Sequence, residues 1–138
     1  MENKDIHWPH RFQNFTKSML HLESALQISN PDIVQKAGII QFFEMSFELA
    51  WNMVKDYLEE QGFIDVKSPK SALKKAFEMG LIENGHDWMD LLLDRNQTMY
   101  AYEDKKATEL VLLIQQKYQP ILKILQKDLV QKLSHVDS

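Results

Sequence analysis

A chain of 138 residues is long enough to bury roughly two thirds of its unfolded surface in one core, and 44% apolar with 26% charged residues is ordinary for a globular protein. The absence of cysteine excludes disulfides, zinc–thiolate sites and thiol catalysis, and a net charge of -4 argues against a generally basic nucleic-acid-binding surface. No stretch approaches the ~20 apolar residues of a membrane span and Met1-Glu2-Asn3-Lys4-Asp5 lacks the apolar core of a signal peptide, so a cytoplasmic protein with no membrane association is expected.

The first predicted element runs from about Pro9 to Ile28, where Phe12, Phe15, Met19, Leu22 and Leu26 recur at three- and four-residue steps and form one helical stripe. Asn30-Pro31-Asp32 ends that helix and opens the next, with the proline expected in the first turn. The second helix extends to Gln61 and stops at Gly62, a C′ glycine. It carries two apolar stripes, Ile40, Phe43, Phe47, Ala50 and Val54 beside Ile39, Phe42, Leu49 and Met53. Two apolar faces require burial on two sides, either inside a bundle or partly at a dimer interface.

Ser68-Pro69 reads as N-cap and N1 of a short helix ending at Gly80. Asn84-Gly85-His86 is a predicted turn, and a further helical piece begins at Trp88. The last long helix is predicted over Glu103–Leu133, with Leu110, Leu113, Ile114, Tyr118, Ile121, Leu125 and Leu129 as its stripe and a kink at Pro120. No segment shows sustained β alternation. The fold class is therefore all-α: an up-and-down, four-helix-bundle-like arrangement with an extra short helix, forming one domain over 1–138 with its core at about 9–133.

The densest chemistry lies in Asp94-Arg95-Asn96-Gln97-Thr98-Met99-Tyr100-Ala101-Tyr102-Glu103. Leu91-Leu92-Leu93 delivers Arg95, and a partly buried guanidinium needs an anion or several acceptors. That anion is either a carboxylate of the second helix, Glu44 or Glu48, in a structural ion pair, or a phosphate from outside, with Glu48 also holding the arginine. On an unbroken helix residues seven apart share a face and residues five apart sit about 140° round the axis. Arg95 and Tyr102 would align while Tyr100 pointed elsewhere, so convergence of all three requires the helix to end near Thr98 or a second subunit to contribute. Tyr100 and Tyr102 are either core or interface residues with satisfied hydroxyls, or groups that bond a phosphate, stack on a base or accept a nucleotidyl group.

Lys67, Lys70, Lys74 and Lys75 at the Ser68-Pro69 helix form either a solvated face or a second anion site, and Lys105 and Lys106 flank the arginine–tyrosine cluster. Of His7, His10, His21, His86 and His135, no two have the helical spacing of a metal pair, so neither a metal nor a cofactor is expected. His86 alone is expected near Arg95. No phosphate-cradling glycine loop or nucleophile elbow is present.

From Phe12 to about Leu129 the chain resembles the nucleotidyltransferase substrate-binding protein family, small helical proteins encoded beside a minimal nucleotidyltransferase. The landmarks are Phe43-Glu44-x-x-Phe47-Glu48-x-x-Trp51, Gly62 with Ser68-Pro69, Gly80-Leu81-Ile82, Trp88, Arg95-Asn96 and Tyr102. That family is similar in turn to the HEPN group, HepT-type proteins included, all-α dimers in which many members are metal-independent ribonucleases and toxins. Their motif is an arginine with a polar neighbour, a histidine a few residues later, and in the relevant branch a tyrosine two positions beyond it.

Carried over by position, the resemblance makes Arg95 the arginine, Asn96 its polar neighbour, and Tyr102 the tyrosine to which the partner attaches AMP. Tyr100 occupies the histidine's place. A phenol does not exchange protons near neutral pH as imidazole does, and general acid–base catalysis is worth about 100- to 10,000-fold, so ribonuclease activity is expected to be weak. The first expectation is thus a homodimeric substrate- or nucleotide-binding subunit of a toxin–antitoxin-type two-gene system, its site built from Arg95, Asn96, Glu48, Tyr100 and Tyr102. The alternative is a HEPN-type ribonuclease acting on RNA, with Arg95 essential, Tyr100 or a displaced His86 replacing the histidine, and Tyr102 the site of AMP attachment.

Overall fold

The computed structural model of the chain describes residues 7–97 and 103–137. Its elements are α1 (His7–Ala25), α2 (Ile33–Glu60), α3 (Pro69–Glu78), α4 (Gly85–Arg95), α5 (Asp104–Leu113), a π-helical turn (Ile114–Tyr118) and α6 (Gln119–Asp137). The protein is an all-α bundle, and α5, the π turn and α6 follow without a break as one long helical run. Among the described residues no helix is long and apolar enough to cross a membrane.

The centre of the bundle is α2, which packs against α1, α3, α5 and α6. Its stripe Ile40, Phe43, Phe47, Ala50 and Val54 is buried throughout, and Ile39 and Met53 of the second stripe are buried too. Phe42 and Leu49 are only partly buried, so one chain covers most of both faces but not all of the second. Facing α2, Phe12, Phe15, Met19 and Leu22 of α1 lie in the core, and the buried hydroxyls of Ser18 and Ser46 meet at 2.6 Å.

Helix ends follow local chemistry. Asp32 caps α2 through a reciprocal box: its carboxylate accepts from the Gln35 N–H at 2.8 Å and its own N–H donates to Gln35 Oε1 at 2.9 Å. Pro31 therefore precedes the cap instead of entering the first turn, and α1 ends at Ala25, three residues before the expected Ile28. Asn30 takes the left-handed conformation (φ 49°) that joins them, which a short amide side chain tolerates. At the far end of α2, Gly62 (φ 99°) donates to the Glu59 carbonyl at 3.0 Å and Phe63 to the Leu58 carbonyl at 3.1 Å, a Schellman motif. Ser68 caps α3 with Pro69 at its first position, and Gly80 closes it with the same pair of backbone bonds.

Two sequence expectations shift. Asn84 serves as N-cap and α4 starts at Gly85, so the predicted turn at Asn84-Gly85-His86 is already the helix start. In the last helical run Leu113 is exposed, and Val111 and Leu122 join the buried stripe. Val111 and Leu113 follow from α5 itself, where Ala107, Leu110, Val111 and Ile114 share one face and Leu113 lies off it, whereas the later part of the run answers to Pro120. It has no N–H, and its ring crowds the carbonyl four residues back, so the helix widens: the Gln119 N–H bonds the Ile114 carbonyl, five residues away. The expected kink is thus realised as a π turn, and the added residue re-registers α5 against α6 by about 100°.

Candidate functional site

Arg95 is the last residue of α4, and the helix stops there, earlier than the limit near Thr98 that convergence demanded. Asn96 is its C-cap, donating its N–H to the Leu92 carbonyl at 3.1 Å. A cation at this end is favoured by the helix dipole. The guanidinium lies over the ring of Phe47, 5.7 Å from its centroid, and Trp88, seven residues earlier on the same face of α4, packs on that ring at 6.5 Å. Phe47 is thus the platform that α2 offers to α4.

One Nη of Arg95 donates to Glu48 Oε1 in an ion pair, and the other donates to Asn96 Oδ1 at 3.1 Å. The opposite oxygen of Glu48 accepts from Asn52 Nδ2 at 3.2 Å, an amide that also holds the Glu48 carbonyl at 2.9 Å. Glu44, Glu48 and Asn52 succeed one another at four-residue steps and form one ridge of α2, beside the buried ridge Phe43, Phe47 and Trp51. That geometry explains the repeated Phe-Glu spacing: each aromatic enters the core and each following carboxylate stands at its rim. Of the two carboxylates considered for Arg95, Glu48 makes the direct contact. Glu44 stays within electrostatic range, and partial burial pushes its carboxyl above the ordinary value while the Arg95 charge pulls it back.

The pair is accessible. Arg95's side chain is 29% exposed and Glu48's 47%. Among the described residues, Glu48 and Asn96 engage two of the five N–H donors of the guanidinium. Chemically the arrangement is a pre-oriented cation with donors to spare, set on an aromatic ring, with carboxylates on one side. Tyr100 and Tyr102, the other two groups expected here, lie outside the described residues. The following helix starts with Asp104, which receives Lys36 Nζ of α2 at 2.7 Å, a lysine also bonded to Thr108 at 2.7 Å.

His86 does not belong to this site. It lies at the opposite end of α4, nine residues or about 13 Å along the axis from Arg95, and is 89% exposed. Its nearest acid is Asp90 at 3.7 Å. The lysine cluster also separates: Lys67, Lys70 and Lys74 are exposed, whereas Lys75 pairs with Glu78 at 3.0 Å and covers the Phe63 ring. A cleft of about 420 Å³ lies elsewhere, between the α1–α2 link and α5, lined in part by Leu26, Ile39, Lys36 and Thr108.

Sequence reading missed Asn52, the ring of Phe47 as a platform, and the contacts that reach α4 from the π turn. Tyr118 donates its hydroxyl to Asp94 Oδ2, and Lys117 lies 2.9 Å from Asp90 and 3.6 Å from Asp87. The signal for the last set was present in Asp87, Asp90 and Asp94, which share one face of α4 by their spacing.

Comparison with known proteins agrees with this architecture. The family model described as nucleotidyltransferase substrate binding protein like matches residues 10–131. The probable ribonuclease HepT of Haemophilus influenzae is 34% identical over 84 residues, which cover 56% of this chain and 58% of that protein, so the match spans little more than half of either. A crystal structure of a Thermus thermophilus protein superimposes with a TM-score of 0.71 at 24% identity, over 86% of this chain and 98% of that one, a likeness of fold alone. With most of α1, all of α2 to α4, the Arg95–Glu48 pair and most of the final helical run inside the matched residues, the chain belongs to the nucleotidyltransferase substrate-binding protein family.

Proposed function

We propose that this protein is a cytoplasmic, single-domain helical subunit that partners a minimal nucleotidyltransferase in a two-gene system of toxin–antitoxin type, and that Arg95 presents a nucleotide- or substrate-facing cation. The observation that carries this reading is the Arg95 guanidinium: positioned by Glu48, Asn96 and Phe47, accessible, and supplied with donors those contacts do not use. In it Arg95 and Asn96 contact phosphate, Glu48 orients the arginine, and Tyr102 is the group that receives AMP. Family membership supports the partner. The experiment is co-expression with the nucleotidyltransferase encoded next door, followed by co-purification and titration with AMP. A stable complex is expected, with AMP affinity about tenfold or more weaker in Arg95→Ala, as for loss of a charge-assisted bond. A nucleotidyltransferase that never co-purifies, with identical titrations for both proteins, would defeat the proposal.

A homodimer belongs to the same reading. Phe42, Met45 and Leu49 share one face of α2 and are left half-buried or exposed, an apolar strip suited to a second copy. Light scattering of the purified protein is expected to give twice the chain mass, and a single-chain mass for Met45→Lys.

The name of the Haemophilus influenzae relative favours one alternative, a metal-independent ribonuclease. Here Arg95 stabilises the phosphate charge and Tyr100 stands where an imidazole is wanted, so weak RNA cleavage is expected. Cleavage and growth arrest on expression should both disappear in Arg95→Ala. Equal cleavage by both proteins would exclude Arg95 chemistry.

A further inference from the structure

The last turn of α4 carries Arg95, and the apolar side chain it packs on the core, Leu92, is only partly buried. Trp88 and Leu91 are the buried residues of this helix, Leu93 is 61% exposed, and the helix ends without a glycine cap. A helix of eleven residues is marginal in isolation, and its terminal turn frays unless side chains tie it down. The ties come from the π turn. Tyr118 is 1% exposed and its ring stacks on Phe43 at 5.7 Å with 14° between the planes, so its hydroxyl is a fixed point. That hydroxyl donates to Asp94, the residue next to Arg95. Lys117, its neighbour, grips Asp90 and Asp87 further back on the same face of α4.

We infer that the π turn forced by Pro120 is a positioning device for Arg95: Tyr118, acting through Asp94, fixes the end of α4 so that the guanidinium is presented in one orientation. Tyr118 and Asp94 are positioning residues, since neither is required to touch a ligand. The inference rests on the reading of Arg95 as an anion-facing group, and it adds a buried hydroxyl from the final helical run as the source of its orientation. Arg95 is thereby held from two directions, by Glu48 of α2 on its own side chain and by Tyr118 on the adjacent residue. A π turn inside a long helix recurs at functional sites for this kind of reason, because one added residue re-aims the side chains it carries.

The test uses the full chain and four variants, with amide hydrogen exchange and AMP titration as readouts. Tyr118→Phe keeps the ring stacked on Phe43 and deletes only the hydroxyl. Exchange across 92–97 should speed up about tenfold, the effect of losing one charge-assisted bond, while α2 stays protected. AMP affinity should fall by a similar factor. Asp94→Asn retains a carbonyl oxygen for the same hydroxyl and should keep most of the protection, whereas Asp94→Leu should lose it. Unchanged exchange in Tyr118→Phe, or equal acceleration in α2 and α4, overturns the inference. So does faster exchange with AMP affinity unaltered, provided Arg95→Ala weakens binding. If Arg95→Ala leaves AMP affinity intact, the anion-facing reading itself fails, and with it the positioning role, even where exchange shows Tyr118 anchoring the helix.

Discussion

Glu44 and Glu48 are the same residue type, one turn apart on the same ridge, yet they stand in different states. Glu48 has Arg95 on one oxygen and Asn52 on the other. Glu44 has the Arg95 charge only at a distance and loses more to partial burial than it gains, which raises its carboxyl. A raised carboxyl favours the protonated form in the folded protein. Its contribution to stability is therefore fully present below the unfolded value and is lost as pH rises through the folded one. Glu44→Gln has the shape of the protonated acid, so it should be more stable than the parent at pH 7, with the difference vanishing below about pH 4. Urea unfolding at both pH values checks this; a variant destabilised at pH 7 would show that the pull of Arg95 outweighs burial. At this scale the sequence announced that Arg95 needs an anion, because three leucines lead into it. It left Glu44 and Glu48 equivalent, since only the position of α4 along the axis of α2 decides which of two neighbours on one ridge it meets.

The contact between α1 and α2 offers a test of a different kind. Ser18 and Ser46 are buried and satisfy each other across it. Ser46→Ala strands the Ser18 hydroxyl and should cost about 1–3 kcal/mol, whereas the double replacement Ser18→Ala/Ser46→Ala should cost less than either single change. A double-mutant cycle on denaturation midpoints reads the coupling, and strictly additive losses would refute it. Helix boundaries were legible at the Ser68-Pro69 start and the stops at Gly62 and Gly80, and missed by a few residues at Asp32 and Asn84. The response to Pro120 was not legible. A proline inside a helix can bend it or widen it, and the choice depends on packing against distant elements, here Phe43 under Tyr118 and the aspartates of α4. Leu113 is exposed for a local reason, because it lies about 100° off the face that Ala107, Leu110, Val111 and Ile114 share. The link from Lys117 to Asp90 lowers the aspartate below its ordinary range, chiefly through their hydrogen bond. A lowered carboxyl contributes stability above its unfolded value and loses it as pH falls, so acid loosens this part of the grip on α4.

Across the molecule, α2 is the reference against which the other helices are placed, and most of its apolar residues were readable as core from spacing alone. The second stripe was ambiguous because a partly covered face looks the same in sequence whether a helix of the same chain or another subunit lies over it. The same helix also ties down both flanks of the stretch that contains Tyr100 and Tyr102: Glu48 holds Arg95 on one side and Lys36 holds Asp104 on the other. Those two anchors are twelve residues apart on α2, about 18 Å along its axis. The chain between Arg95 and Asp104 is nine residue steps, with a reach of about 30 Å when extended. Closure entropy grows slowly with length, so a Gly-Ser insertion after Gln97 should lower folding stability by only roughly 0.2 kcal/mol. Thermal unfolding checks it, and a loss several times larger would mean that the stretch is built into the core. By length alone, a connection shortened by one or two residues still spans the roughly 18 Å between the anchors, so such variants should fold with both ion pairs intact.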